Sequence, residues 1–121
     1  MAQVLIVDDD LQIRKVFSKL IEAEGHKVWV AEDGNQGLKE LAKRPIDLII
    51  SDILMPDKDG LEMIDEVKKT YPNIKIIAIS GGGQISSKEY LNLANHMGVV
   101  KSIPKPIMRN ELIKTIKEVL A

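Results

Sequence analysis

Near its amino terminus the chain reads Val4-Leu5-Ile6-Val7-Asp8-Asp9-Asp10, four apolar β-formers followed at once by three acidic residues. A short, continuously apolar run is typical of a strand covered on both faces, as in a parallel sheet flanked by helices. Asp10 is predicted to cap the helix that follows, but three carboxylates exceed what one cap requires. Clustered carboxylates repel unless a cation, a proton or hydrogen bonds offset their charge, which makes Asp8 and Asp9 candidate metal ligands.

The same alternation of strand and helix occurs five times in the 121 residues. Strands are predicted over 4–7, 27–31, 46–51, 74–79 and 99–103, and helices over about 34–43 and 86–97. Further helices are predicted from apolar stripes: Ile13, Val16, Phe17, Leu20 and Ile21; Leu61, Ile64 and Val67; Leu112, Ile113, Ile116, Val119 and Leu120. This pattern favours a single α/β domain over residues 1–121, with an open, doubly wound parallel sheet, because a closed barrel needs eight units.

Composition excludes several classes of function. The 17 basic and 18 acidic residues nearly cancel, so neither direct nucleic-acid binding nor attraction to acidic membranes is expected. The absence of cysteine removes disulfides, thiolate catalysis and a cysteine-zinc site. The start of the chain lacks signal-peptide features, and no apolar run approaches the ~20 residues of a membrane span. We therefore expect a cytoplasmic protein without membrane insertion.

Polar residues also follow the later strands of the predicted sheet. Asp52 closes the third strand, Ser80 closes the fourth, and Lys105 comes directly after the fifth. The carboxyl ends of parallel strands meet at one edge, where open α/β sheets bind ligands. A carboxylate held on a cation is a competent nucleophile toward phosphorus, and lysine acts as a point charge toward phosphate. The Ser80 hydroxyl and the Gly81 N–H group can approach a phosphoryl oxygen, so the edge is a candidate site for phosphoryl transfer.

In its order, this set of motifs resembles the receiver domain of bacterial two-component response regulators, including the stand-alone chemotaxis type. The motifs are Asp8-Asp9, Asp52 followed by Met55-Pro56 and Gly60, Ser80-Gly81, and Lys105-Pro106, and the likeness extends from Val4 to Leu120. It implies a flavodoxin-like (βα)5 fold with strand order 2-1-3-4-5. It also implies a switch that is phosphorylated by a phosphohistidine of a sensor histidine kinase or a histidine phosphotransfer protein. Such a domain catalyses only its own phosphorylation and dephosphorylation, and signals through its fourth helix, fifth strand and fifth helix.

The resemblance assigns a role to each acidic residue. Asp52 corresponds to the phosphoacceptor, and Asp9 to the direct Mg²⁺ ligand. Asp8 corresponds to a ligand that acts mainly through water. The main-chain carbonyl of Leu54 would complete the protein ligands of Mg²⁺, the one cofactor that the resemblance implies.

The remaining roles fall on the later loops, and one position departs from the family. Ser80 matches the residue that binds the attached phosphoryl group, and Lys105 matches the family lysine, with a cis bond to Pro106. Ser102 stands where the family usually has an aromatic ring that moves inward with Ser80. We therefore expect the output to run through the Gly81–Gly83 loop and the fourth helix.

Two further functions stay open on the sequence. One is a Mg²⁺-dependent phosphatase with an aspartyl nucleophile, although Leu54 occupies the place of its usual general acid and no cap segment is present. The other is a receiver-fold binding module that works without phosphorylation, which Ser102 favours and the intact acidic set opposes. A flavodoxin-like FMN site would need a Ser/Thr-rich loop after the first strand, which is absent.

The partners are expected to be proteins. A face of the first helix, including Gln12, Ile13, Lys15 and Val16, is the expected contact for the phosphodonor protein. The downstream target is unknown from the sequence. We expect a monomer or a weak, phosphorylation-dependent dimer, acting either as a stand-alone receiver or as part of a longer regulator.

Overall fold

Strands and helices alternate in the computed structural model, which describes residues 2–52, 60–80, 98–104 and 107–121. The elements are β1 (Gln3–Val7), α1 (Leu11–Ala23), β2 (Lys27–Ala31), α2 (Gly34–Lys43), β3 (Leu48–Asp52), α3 (Gly60–Thr70), β4 (Lys75–Ser80), β5 (Lys101–Pro104) and a C-terminal helix (Arg109–Leu120). The helix predicted over 86–97 lies outside the described residues. Within the described part of the chain, no helix combines the length and apolar character that crossing a membrane requires.

The five strands form one parallel sheet in the order β2-β1-β3-β4-β5, which confirms the predicted fold class and strand order. The register pairs Val7 with Ser51 and Asp52 with Ile79. The carboxyl ends of β1, β3 and β4 are therefore level with one another. This places the residues that follow these three strands at one edge of the sheet.

Side chains alternate between two cores, one on each face of the sheet. Toward α2 and α3 the strands direct Leu5, Val7, Ala31, Ile49, Ile76 and Ala78, which pack with Met63, Ile64 and Val67. Toward α1 and the C-terminal helix they direct Val4, Ile6, Leu48, Ile50, Ile77, Ile79 and Ile103, which pack with Phe17, Ile21, Leu112 and Ile116. Full burial of one such side chain stabilises the fold by roughly 1.5–3 kcal/mol. Because both faces are covered, β1, β3 and β4 carry continuous apolar runs rather than an alternating pattern.

The inward face of α1 differs from the predicted stripe at two positions. Val16 is 50% exposed, so its predicted place on the packed stripe was wrong. The buried residues of α1 are Arg14, Phe17 and Ile21, which recur at three- and four-residue spacing. A pattern of apolar residues places Val16 on the packed face and omits Arg14, because a charged side chain is normally expected in solvent. Arg14 can be buried because its guanidinium donates a hydrogen bond to the Asp8 carbonyl oxygen.

Gly25 ends the α1 segment in the left-handed conformation, with φ of 93°. Its N–H group donates to the Glu22 carbonyl at 3.0 Å, which satisfies a carbonyl at the helix end. A Cβ at this position would meet no atom within 4 Å, so only the backbone opposes substitution. We expect Gly25→Ala to lower the free energy of unfolding by about 1–2 kcal/mol. Gly25→Asn should cost clearly less in the same urea titration, and equal losses would contradict the backbone explanation.

Candidate functional site

Three carboxylates meet at the carboxyl edge of the sheet. Asp52 is the last residue of β3, and Asp8 and Asp9 directly follow β1. Carboxylate oxygens of the three residues lie within 4.8 Å of one another. Asp8 and Asp52 are only 2% and 6% exposed, whereas Asp9 is exposed. The structure thus brings together the three acidic residues that the sequence singled out.

The loop from β1 to α1 is held by its own hydrogen bonds. The Asp8 N–H group donates to the Ala31 carbonyl of β2 at 3.1 Å, which extends the β1–β2 pairing by one residue. Oδ1 of Asp8 accepts from the Asp10 N–H group at 2.9 Å. Oδ1 of Asp10 accepts from the N–H groups of Gln12 at 2.8 Å and Ile13 at 3.4 Å. Asp10 is therefore the N-cap of α1, as predicted, whereas Asp8 and Asp9 belong to the acidic cluster.

Two side chains hold the main-chain carbonyls of the buried acidic residues. Nη1 of Arg14 donates to the Asp8 carbonyl oxygen at 2.7 Å. Oγ of Ser51 donates to the Asp52 carbonyl oxygen at 2.9 Å, and Ser51 is fully buried. Each bond fixes the peptide plane that leaves one strand of the site. Neither residue was predicted as part of the site from the sequence, although the spacing of Arg14 with Phe17 and Ile21 is a signal that could have revealed Arg14.

Ser80 reaches the same edge by its main chain. It is the last residue of β4, one position beyond Ile79, the register partner of Asp52. It pairs in turn with Pro104, the last residue of β5. The chain therefore leaves β4 and β5 at the edge where the three carboxylates lie.

The other predicted site residues are distributed as follows. Ser102 lies in β5, half-buried and paired with Ala78 of β4. Leu54, Gly81, Lys105 and Pro106 lie outside the described residues, so their predicted roles stay predictions.

The acidic cluster fits a small, hard divalent cation. Two like charges 4 Å apart near a protein surface repel by roughly 4 kcal/mol, and a cation among them reverses the sign of the interaction. Mg²⁺ prefers oxygen ligands and is usually held by one or two carboxylates while it keeps several waters. Buried Asp8 and Asp52 beside exposed Asp9 provide such a set with one side open to solvent. Asp8, Asp9 and Asp52 are thus the described residues that could hold Mg²⁺.

The chain matches a known protein family over most of its length. The family model for the response regulator receiver domain matches residues 4–117. The chain is a member of this family. Response regulators work with sensor kinases in two-component signalling, and their receiver domains generally bind Mg²⁺ at an acidic pocket. Receiver domains are generally signalling modules rather than enzymes.

Individual relatives agree with the family. This receiver domain is 32% identical to the transcriptional regulatory protein GlrR of Escherichia coli (strain K12) over 119 residues, which are 98% of the chain and 26% of GlrR. The crystal structure of a response regulator receiver domain protein from Clostridium thermocellum has a TM-score of 0.90 at 27% identity, covering 99% of this chain and 94% of that one. The chemotaxis protein CheY4 of Vibrio cholerae has a TM-score of 0.86 at 30% identity, covering 98% of both chains. The chain spans between about a quarter and a half of the first curated relatives that it matches.

Proposed function

We propose that this receiver domain is a phosphorylation-dependent signalling switch with Asp52 as its phosphoacceptor. The observation that carries the proposal is the cluster of Asp8, Asp9 and Asp52, with carboxylate oxygens within 4.8 Å at the carboxyl edge of the sheet. Asp52 is the member of the cluster that ends the central strand β3. Its backbone is therefore paired with β4 and held by Ser51. A fixed nucleophile beside two metal-binding carboxylates is suited to phosphoryl transfer.

We assign the metal to Asp8, Asp9, Asp52 and the main-chain carbonyl of Leu54. Bound Mg²⁺ supplies positive charge that offsets the negative charge on the phosphoryl oxygens during transfer. By its resemblance to the family, Asp9 would be the direct carboxylate ligand and Asp8 would act mainly through water.

The transfer itself is an exchange of one bond to phosphorus for another. A carboxylate oxygen of Asp52 attacks the phosphorus of a phosphohistidine in line with the P–N bond. The new O–P bond forms as the P–N bond breaks, and the electron pair of that bond stays on the histidine nitrogen. Water later attacks the phosphorus and the O–P bond breaks, so Asp52 returns as a carboxylate and inorganic phosphate leaves.

In this proposal, residues that follow β4 and β5 bind the phosphoryl group. Lys105 pairs with a phosphoryl oxygen as a point charge, and the Ser80 hydroxyl and Gly81 N–H group donate to others. Movement of these loops toward the phosphoryl group shifts the equilibrium between conformations of one surface, which is formed by residues 86–97, β5 and the C-terminal helix. This surface binds the downstream protein. Ser102 replaces the usual aromatic in that response.

The phosphodonor is a sensor histidine kinase or a histidine phosphotransfer protein that docks on α1. Gln12, Lys15 and Val16 are exposed there, and Ile13 is half-buried, so the helix offers a mixed polar and apolar surface beside the acidic cluster. We further propose that residues 1–121 form one receiver domain, monomeric or weakly dimeric when phosphorylated.

Incubation with Mg²⁺ and a small phosphodonor, such as an acyl phosphate or a phosphoramidate, tests the phosphorylation. We expect intact-mass spectrometry to show one added phosphoryl group that hydroxylamine removes, because an acyl phosphate is the product. EDTA should suppress the adduct, since Mg²⁺ is required to offset the phosphoryl charge.

Consumption of the donor distinguishes the other functions. Rapid donor turnover without an adduct would favour either fast dephosphorylation of Asp52 or a Mg²⁺-dependent phosphatase. No adduct with the donor left unconsumed would favour a phosphorylation-independent binding module.

A further inference from the structure

The buried guanidinium of Arg14 carries an inference beyond the metal ligands. Arg14 is 9% exposed, and its Nη1 donates to the Asp8 carbonyl oxygen at 2.7 Å. Nη2 lies 3.8 Å from Oε1 of Glu32, whose side chain is 63% exposed. An exposed ion pair at that distance contributes little, so the contact with the carbonyl is the stronger one. A hydrogen bond from a charged group to a buried carbonyl is stronger than one between two neutral groups.

The contact acts at the point where the chain leaves the sheet. The Asp8 N–H group still pairs with β2, through the Ala31 carbonyl, whereas the Asp8 carbonyl is held by Arg14. That carbonyl belongs to the same peptide plane as the Asp9 N–H group. Holding it fixes the direction in which the chain enters Asp9.

Asp9 depends on this constraint more than its two neighbours do. The carboxylates of Asp8 and Asp10 accept main-chain hydrogen bonds within the loop. Asp9 is exposed, so its position follows mainly from the backbone on either side. Arg14 acts on one side through the Asp8 carbonyl, and on the other the Arg14 N–H group donates to the Asp10 carbonyl at 3.1 Å.

We infer that Arg14 is a positioning residue for Mg²⁺ binding, which places the Asp9 carboxylate by holding the Asp8 carbonyl. The inference rests on the proposed Mg²⁺ site of this receiver domain. A positively charged side chain would then favour the binding of Mg²⁺, although two positive charges repel each other. The charge of Arg14 alone repels Mg²⁺, whereas the hydrogen bond prearranges its ligand, so the two effects have opposite signs.

Because the two effects change the Mg²⁺ affinity in opposite directions, isothermal titration of the whole chain with MgCl2, without phosphodonor, distinguishes them. We expect Arg14→Met, which keeps the apolar stem and loses the donors, to raise the Kd for Mg²⁺ roughly 10-fold, as loss of an outer-shell partner does. Arg14→Lys retains a donor and should recover part of the affinity. Lys19→Met removes one exposed positive charge from the same helix and should leave the Kd unchanged or slightly lower.

Thermal unfolding without Mg²⁺ establishes that each variant is folded at the titration temperature, and Arg14→Leu, which also has no donor, replaces Arg14→Met if the latter is not. An unchanged or lower Kd in the Arg14 variant, with the wild type binding normally, would overturn the positioning role alone. No Mg²⁺ binding by the wild type would overturn the proposed metal site, and the positioning role with it.

Discussion

Asp52→Asn is expected to reduce phosphoryl incorporation to the background measured with EDTA. The amide has no anionic oxygen, so it is a poor nucleophile toward phosphorus. The substitution keeps the size of the side chain at the end of β3, where Asp52 is 6% exposed. The measurement is the intact mass after incubation with Mg²⁺ and a small phosphodonor, at an Mg²⁺ concentration that saturates the variant.

Asp10→Asn is the matched control for this loss. It removes one carboxylate from the same loop region, but Asn caps a helix about as well as Asp, so the N-cap bonds to Gln12 and Ile13 are kept. We expect full phosphoryl incorporation in this variant. An adduct of wild-type yield in Asp52→Asn would show that another residue is the acceptor and would overturn the proposed function.

The adjacent residues Phe17 and Val16 are expected to differ strongly in their contribution to stability. Phe17 is 6% exposed and packs between α1 and the sheet, so Phe17→Ala leaves a cavity in that core. The expected loss is about 3–5 kcal/mol of unfolding free energy. That is a large share of the roughly 5–15 kcal/mol by which domains of this kind are stable.

Val16→Ala is expected to change the unfolding free energy by less than about 0.5 kcal/mol. Val16 is 50% exposed, and the higher helix propensity of alanine offsets the small loss of contact. Urea titrations of both variants and the wild type measure the difference. If Val16→Ala lowered the unfolding free energy about as much as Phe17→Ala, Val16 would have to be packed, as the apolar stripe predicted from the sequence implies, and not exposed.

Most of the fold could be predicted from the order of residue types. The apolar run over residues 4–7 and the predicted strand over 27–31 agree with β1 and β2 to within one residue at each end. These patterns are local, because a strand covered on both faces must be apolar throughout. The convergence of Asp8, Asp9 and Asp52 followed as well, since parallel strands bring their carboxyl ends to one edge. The structure begins β3 at Leu48, two residues later than predicted, and this difference does not affect that edge.

The supports of the site could not be predicted in the same way. Arg14 and Ser51 bind carbonyl oxygens, and a carbonyl has no signature in the sequence that tells whether it is already paired. That depends on where each strand stops pairing with its neighbour, which is a property of the assembled sheet. For the same reason the apolar stripe predicted for α1 included Val16, which is exposed, and omitted Arg14, which is buried. Residue order was enough to place the carboxylates at one edge, because strand direction and side-chain type are local. The partners that hold their backbones in position emerged only when β1, β2 and α1 were packed together, since burying a charged group requires a partner that another segment supplies.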